Sequence, residues 1–148
     1  MLDSVLIVCT ANICRSPMAE ALLRRRFEAR RGARVESAGI AALVGRPADA
    51  EAQAVVAARG LDLSAHRARQ LTPELAAGFE LILVMEEGQR QAVQDLAPLA
   101  RGKVHRIGRF GRYDVADPYR RGRAAFEEAL AAIEAGLEAF GRAFWSGA

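Results

Sequence analysis

Cys9, Arg15 and Asp117 are the residues whose types and spacing could carry a reaction. The stretch from Val5 to Pro17 runs an apolar segment into a short turn that opens with Cys9, and Arg15 follows six residues later, where a helix should begin. A thiolate is a strong nucleophile, a guanidinium grips two phosphoryl oxygens at once, and the N–H groups of a helix start attract the same dianion. Asn12 stands mid-loop, where asparagine tolerates the left-handed backbone that turns N–H groups inward. Cys9 would then face several positive partial charges, which favour the thiolate. Arginine at a helix N-terminus is unfavourable unless an anion sits there, so the placement of Arg15 itself points to an anionic ligand. Phosphoryl transfer to Cys9 also needs a proton for the departing oxygen. Asp117 is the first candidate, because Pro118 restricts it to extended geometry and can hold its carboxylate over the site, and Asp114 is the competitor.

The elements that must position these residues are legible as periodicities. Residues 2–8 read as a central parallel strand, apolar on both faces apart from Asp3 and Ser4. Ser16 is expected to cap a helix whose first turn holds Pro17 and which runs to about Arg31, where Gly32 ends it. Further strands are expected at 34–38, 79–85 and 103–107, helices at 48–59 and 86–96, and a capped turn at 71–76. Residues 108–119 lack periodicity and mark a surface loop of the kind that often carries function. From Arg120 onward, Phe126, Leu130, Ile133, Leu137, Phe140 and Phe144 draw one apolar stripe on a long closing helix, with Trp145 expected to pack beside it. The alternation implies a three-layer α/β fold, a four-stranded parallel twisted sheet flanked by helices, with ligands bound beyond the C-terminal strand ends. Cys9 lies at that edge.

Composition narrows the classes. The 148 residues fit a single domain, 1–148, and with 51% apolar and 26% charged residues and no long apolar run the chain reads as soluble, without membrane insertion. The opening Met1-Leu2-Asp3-Ser4 shows no basic leader or cleavage site, so a cytoplasmic location is expected. Net charge is +3, and the arginines are dispersed, Lys103 being the sole lysine. Dispersal speaks against nucleic-acid binding and for a mild pull on anionic substrates. The basic segment 101–112 reads as a solvated rim. Two cysteines five positions apart make neither a disulfide framework nor a metal site. Cys14 is either a small residue whose N–H lines the loop or the partner of Cys9 in a reversible disulfide, testable as thiol-recoverable activity after peroxide. Glu20 and Arg24 form an i,i+4 pair that needs no role beyond helix support.

The segment from Cys9 to Glu20, with Ser37-Ala38-Gly39 and Asp117-Pro118-Tyr119, resembles the low-molecular-weight protein tyrosine phosphatases, over a span from Val5 to the last helix. The resemblance implies that Cys9 attacks phosphorus and becomes phosphocysteine, that Arg15 holds the equatorial oxygens, and that Asp117 protonates the tyrosine oxygen and then helps water attack. It implies a phosphate loop of Thr10, Ala11, Asn12, Ile13, Cys14 and Ser16, with Ser16 bonded to the thiolate and Asn12, Ser37 and His66 as braces. No metal or organic cofactor is implied. Leu43-Val44-Gly45 and the Arg120 after Tyr119 are similar to the bacterial branch that pairs with autophosphorylating tyrosine kinases of exopolysaccharide export, with Leu43 and Tyr119 as walls of a phosphotyrosine slot. A related arginine-phosphatase branch carries threonine where Ile13 stands. The competing readings are an arsenate reductase-like thiol enzyme, for which no cysteine follows Cys14, and a non-catalytic anion-binding or redox-sensing module, against which Asp117 speaks.

Overall fold

The computed structural model describes residues 2–145; Met1 and residues 146–148, the ends of the expected domain, lie outside it. Four strands, β1 (Ser4–Cys9), β2 (Arg34–Gly39), β3 (Leu81–Val84) and β4 (Val104–Arg106), form one parallel sheet in the order β2-β1-β3-β4. The central position of β1 follows from its sequence. Val5, Leu6, Ile7 and Val8 are fully buried, and each such side chain contributes roughly 1.5–3 kcal/mol by leaving water.

Alternation along β1 builds the three layers. Val5, Ile7 and Cys9 face one core with Met18, Leu23, Val56, Phe126, Ile133 and Phe140, whereas Leu6 and Val8 face the other with Leu71, Phe79 and Val93. Helices α1 (Arg15–Arg26), α2 (Ala50–Ala57) and α5 (Arg123–Phe144) cover the first face; α3 (Pro73–Ala77) and α4 (Glu87–Leu96) cover the second. The closing stripe is core as expected, except that Phe144 is half-exposed. Trp145 is fully buried, edge-on to Phe27 at 5.0 Å, and its Nε1–H donates to the Leu2 carbonyl at 3.0 Å.

Several expected boundaries move for local reasons. Ser16 is not a cap: Cys14 occupies the N-cap position, Arg15 is the first helical residue, and the Ser16 hydroxyl is engaged inside the site. Helix α1 stops at Arg26, five residues before the expected end, because Phe27 turns into the core and 27–33 continue as tight turns closed by Arg30 N–H to the Phe27 carbonyl. Gly32 holds a left-handed φ of 77° in that turn rather than at the helix end. Asp49 caps α2 through its carboxylate, and Glu86 is the N-cap of α4 rather than its first residue. Within 101–112, Val104 and Ile107 are core and Arg106 is held by Glu87 and Asp114, so the segment is more than a solvated rim. The sheet order reverses across β1, and the loops leaving β1 and β3 part at that point, opening the crevice in which ligands of such sheets bind.

Candidate active site

The loop after β1 wraps around the position where a bound oxyanion would sit. Asn12 adopts φ 61°, as the sequence suggests, and Cys9, Asn12, Cys14, Arg15 and Ser16 are all buried. Gly39 lets this loop sit against β2: a side chain there would place its Cβ 2.6 Å from the Thr10 carbonyl oxygen and 3.0 Å from the Asn12 Cβ. That close approach accounts for glycine at the end of Ser37-Ala38-Gly39.

Hydrogen bonds through Asn12 have only one self-consistent direction. Its Oδ1 accepts from the backbone N–H of Arg69 at 3.0 Å, so its NH2 group faces the other way and donates to Ser16 Oγ at 2.7 Å and Ser37 Oγ at 3.0 Å. Ser37, accepting there, donates to the Glu20 carboxylate at 2.6 Å. Ser16, likewise accepting, keeps its proton for Cys9 Sγ at 2.9 Å. The chain therefore delivers a hydroxyl donor to the sulfur, the arrangement a thiolate requires. His66 donates from Nε2 to the Asn12 carbonyl at 2.7 Å and so braces the same residue from outside the loop. Glu20 does pair with Arg24 at 2.7 Å, but its second role, receiving Ser37, is one that the i,i+4 reading misses.

Asn12→Ala is expected to destabilise the protein by about 3 kcal/mol, because it leaves buried polar partners unsatisfied at roughly 1–3 kcal/mol each and puts alanine in a left-handed conformation. The expected readout is a lower urea midpoint together with a reduced kcat. Retention of both would mean that the network carries no constraint.

Arg15 is 3% exposed and is held for its task from behind. Its NH1 donates to Glu86 Oε2 at 3.0 Å and to the Val115 carbonyl at 2.7 Å, while NH2 lies 4.0 Å from Asp117 Oδ2. The first two contacts bring together the β3–α4 turn and the 108–119 loop, neither of which the sequence points to as a support for Arg15. Gln89 is a further missed residue. Its carboxamide oxygen accepts from the N–H groups of Met85 and Glu86, and its NH2 donates to Thr10 Oγ1 at 3.1 Å, tying α4 to the phosphate loop. The signal was present in its place three residues after Glu86, a helix-start pattern.

The 108–119 loop is fastened at several points. Tyr113 packs over Gly108 and Gly111 and donates its hydroxyl to the Ala132 carbonyl of α5 at 2.6 Å, and the Val115 N–H donates to the Met85 carbonyl at 2.9 Å. Asp114 is turned outward, bonded to Arg106 at 2.9 Å and accepting from the Glu87 N–H. Asp117 is the carboxylate left over the slot; its Oδ1 accepts from the Tyr119 N–H at 3.1 Å. Burial pushes the Cys14 thiol well above its ordinary range, assisted by the Asp49 charge, so it stays protonated and is no rival nucleophile. Both cysteines are free thiols.

Cys9, Thr10, Ala11, Ile13, Cys14, Arg15, Leu43, Asp117 and Tyr119 enclose a slot of about 110 Å³. Its floor is the anion loop, and Leu43 and Tyr119, each just over a third exposed, stand at its mouth. A larger groove of about 710 Å³ lies between Glu20, Arg25, Leu61 and His66, and the one hydroxyl in its lining, that of Ser37, is committed to Glu20 and Asn12. Among the described residues no group of histidines, cysteines and carboxylates could hold a metal ion.

A buried cysteine and arginine on one loop, with the Asp117 carboxylate opposite, are the groups that a cysteine-based phosphoryl transfer would need. The sequence matches, over residues 4–144, the family described as low molecular weight phosphotyrosine protein phosphatase. A probable low molecular weight protein-tyrosine-phosphatase, EpsP, of Ralstonia nicotianae is 49% identical over 140 residues, 95% of this chain and 94% of that protein. The phosphatase Etp of Escherichia coli K12 is 44% identical over 133 residues, 89% of this chain and 88% of that one. The solved structure of Vibrio vulnificus Wzb in complex with benzylphosphonate superposes with a TM-score of 0.91 at 38% identity, covering 97% of this chain and all of that one. The chain belongs to the low molecular weight phosphotyrosine protein phosphatase family, and it is a phosphatase enzyme.

Proposed function

We propose that this phosphatase removes phosphate from tyrosines of an autophosphorylated bacterial tyrosine kinase of exopolysaccharide export, in the cytoplasm, with residues 1–148 acting as one catalytic domain. The reaction has two displacements. Cys9 Sγ attacks phosphorus, the bond to the tyrosine oxygen breaks, and Asp117 gives that oxygen its proton. The phosphocysteine is then opened by water, which surrenders a proton to Asp117 as the sulfur leaves as thiolate. Arg15 and the inward N–H groups of the loop hold the three non-reacting oxygens throughout.

The observation that carries this reading is the convergence in one small slot of Cys9, with Ser16 donating to it, Arg15, and Asp117 Oδ2 4.0 Å from that guanidinium. Leu43 and Tyr119 at the mouth suit the flat ring of a phosphotyrosine, and the benzylphosphonate bound by a relative is an aryl-methyl analogue of that group. The kinase assignment is supported by the resemblance of Leu43-Val44-Gly45 and Arg120 to the bacterial branch that pairs with such kinases, and the likeness to EpsP supports the tyrosine phosphatase activity. Among the described residues no helix is long and apolar enough to cross a membrane.

The test is release of phosphate from the phosphorylated cytoplasmic domain of such a kinase, followed with an antibody against phosphotyrosine. Complete dephosphorylation by catalytic amounts of enzyme is expected, with phosphoserine and phosphoarginine proteins left untouched. Faster turnover of phosphoarginine than of phosphotyrosine would overturn the substrate assignment.

A further inference from the structure

Arginines in this protein mostly have partners. Arg24, Arg26, Arg59, Arg106 and Arg123 are each held by a carboxylate. Arg46, Arg120 and Arg121 are exposed, and no described carboxylate lies within ion-pair distance of any of them; Arg25, Arg31, Arg67, Arg101, Arg109 and Arg112 share that lack of a carboxylate, but only these three sit on the turns that carry Leu43 and Tyr119.

Two turns display these side chains, and each turn also supplies one wall of the slot. On one side the Arg46 N–H closes a turn onto the Leu43 carbonyl at 3.0 Å, Gly45 taking the left-handed φ of 85° that the turn needs. Ala68 clamps it, donating to the Arg46 carbonyl at 2.8 Å and accepting from the Gly45 N–H at 2.9 Å. On the other side the Arg121 N–H closes a turn onto the Pro118 carbonyl at 2.9 Å, and Arg120, at φ 60°, lays its guanidinium 5.1 Å from the centre of the Tyr119 ring. The backbones are fixed while the guanidinium groups stay unneutralised. The carboxylates close to these turns in sequence are engaged by backbone donors, Asp117 by the Tyr119 N–H and Asp49 by the Glu51 N–H.

We infer that Arg46, Arg120 and Arg121 form a specificity rim that selects phosphotyrosines flanked by acidic residues. The inference rests on the phosphotyrosine-hydrolase reading above and adds to it the chemistry of the neighbouring chain. With the phosphate on the slot floor, the peptide backbone on either side of the tyrosine must leave past Leu43 and past Tyr119, toward these guanidinium groups. Arginine rather than lysine suits the task, since its fork pairs a carboxylate with two parallel bonds, and the Arg120 guanidinium lies over the Tyr119 ring. Exposed pairs are individually weak, so the rim sorts substrates and speeds encounter rather than setting the rate of the chemistry.

Two phosphotyrosine peptides that differ only in carrying aspartate and glutamate, or asparagine and glutamine, at the three positions on each side test this. The ratio of their kcat/KM values is expected to favour the acidic peptide about 3–10-fold at low salt, and to fall toward unity near 0.5 M salt as screening shortens. In R46A/R120A/R121A the ratio should approach 1, and in R120E it should fall below that of the wild type. Because the ratio is taken within each protein, partial misfolding of a variant does not imitate the result. A wild-type ratio of 1, or a preference that survives the triple substitution, would overturn the rim while leaving hydrolysis of both peptides, and hence the phosphotyrosine reading, intact. Failure to hydrolyse either peptide would overturn that reading itself. Sedimentation with vesicles containing phosphatidylglycerol, lost in the triple variant and accompanied by no peptide preference, would assign the arginines to a membrane surface and overturn the proposal.

Discussion

Cys9→Ser is expected to abolish turnover of p-nitrophenyl phosphate and of phosphotyrosine peptides, with losses on the order of 10⁶, the scale on which removal of an activated nucleophile acts in other enzymes. The size follows from what the substitution leaves intact. Serine is nearly the size of cysteine, so the loop, the Ser16 hydroxyl and the Arg15 guanidinium all stay in place and the variant should still bind substrate. What vanishes is the anionic nucleophile. A serine hydroxyl at this position has no base to receive its proton: its neighbour Ser16 is already committed as an acceptor to Asn12, and Asp117, whose side chain is 56% exposed, is required as the acid for the leaving oxygen. The expected signature is thus a dead enzyme that binds phosphotyrosine peptide with undiminished affinity, measured by calorimetry. Substantial activity would move the covalent step away from Cys9. Loss of binding alongside loss of activity would show instead that the sulfur holds the loop's shape.

How far the sequence could be read depended on whether a residue's task is local. Apolar patterning located all four strands and the long closing helix within a few residues, because burial on one or both faces leaves a period in the chain. The left-handed Asn12 was legible for a similar reason, since a tight turn restricts which residues can stand in it, whereas Gly39 entered only through resemblance, its cause being the close approach of the Thr10 carbonyl. Ser16-Pro17 misled as a capping signal, since a serine just before a proline is what a helix start needs, whereas here the helix begins earlier and the serine hydroxyl serves Cys9. Contacts between distant segments left no trace. Glu86 and Val115 on Arg15, Gln89 on Thr10, and Ser37 on Glu20 join parts of the chain 17 to 100 residues apart, and nothing in the local pattern of either partner requires the other. The slot follows the same rule. Its floor is one continuous loop and was readable from the residues, but that Leu43 and Tyr119 face each other across it came from resemblance alone.

Asp117→Asn is expected to lower kcat/KM by roughly 10²–10⁴ for phosphotyrosine, the range in which a positioned general acid acts, and by far less for p-nitrophenyl phosphate. The contrast tests the role rather than the mere importance of the residue. Asparagine keeps the oxygen that accepts from the Tyr119 N–H at 3.1 Å, so the loop geometry and the wall of the slot persist, and only the transferable proton is lost. A tyrosine oxygen, the conjugate base of a phenol with pKa about 10, needs that proton to depart at neutral pH. A nitrophenolate is a much weaker base and leaves without it. Because kcat/KM reports events up to the first irreversible step, the comparison isolates cleavage of the ester bond from later opening of the phosphocysteine. Asp114 provides the control. It is bonded to Arg106 and to the Glu87 N–H outside the slot, so Asp114→Asn should change both substrates alike and little. An equal loss with both leaving groups in Asp117→Asn, or a leaving-group-dependent loss in Asp114→Asn, would remove Asp117 from the acid's place and require the 108–119 loop to rearrange when substrate binds.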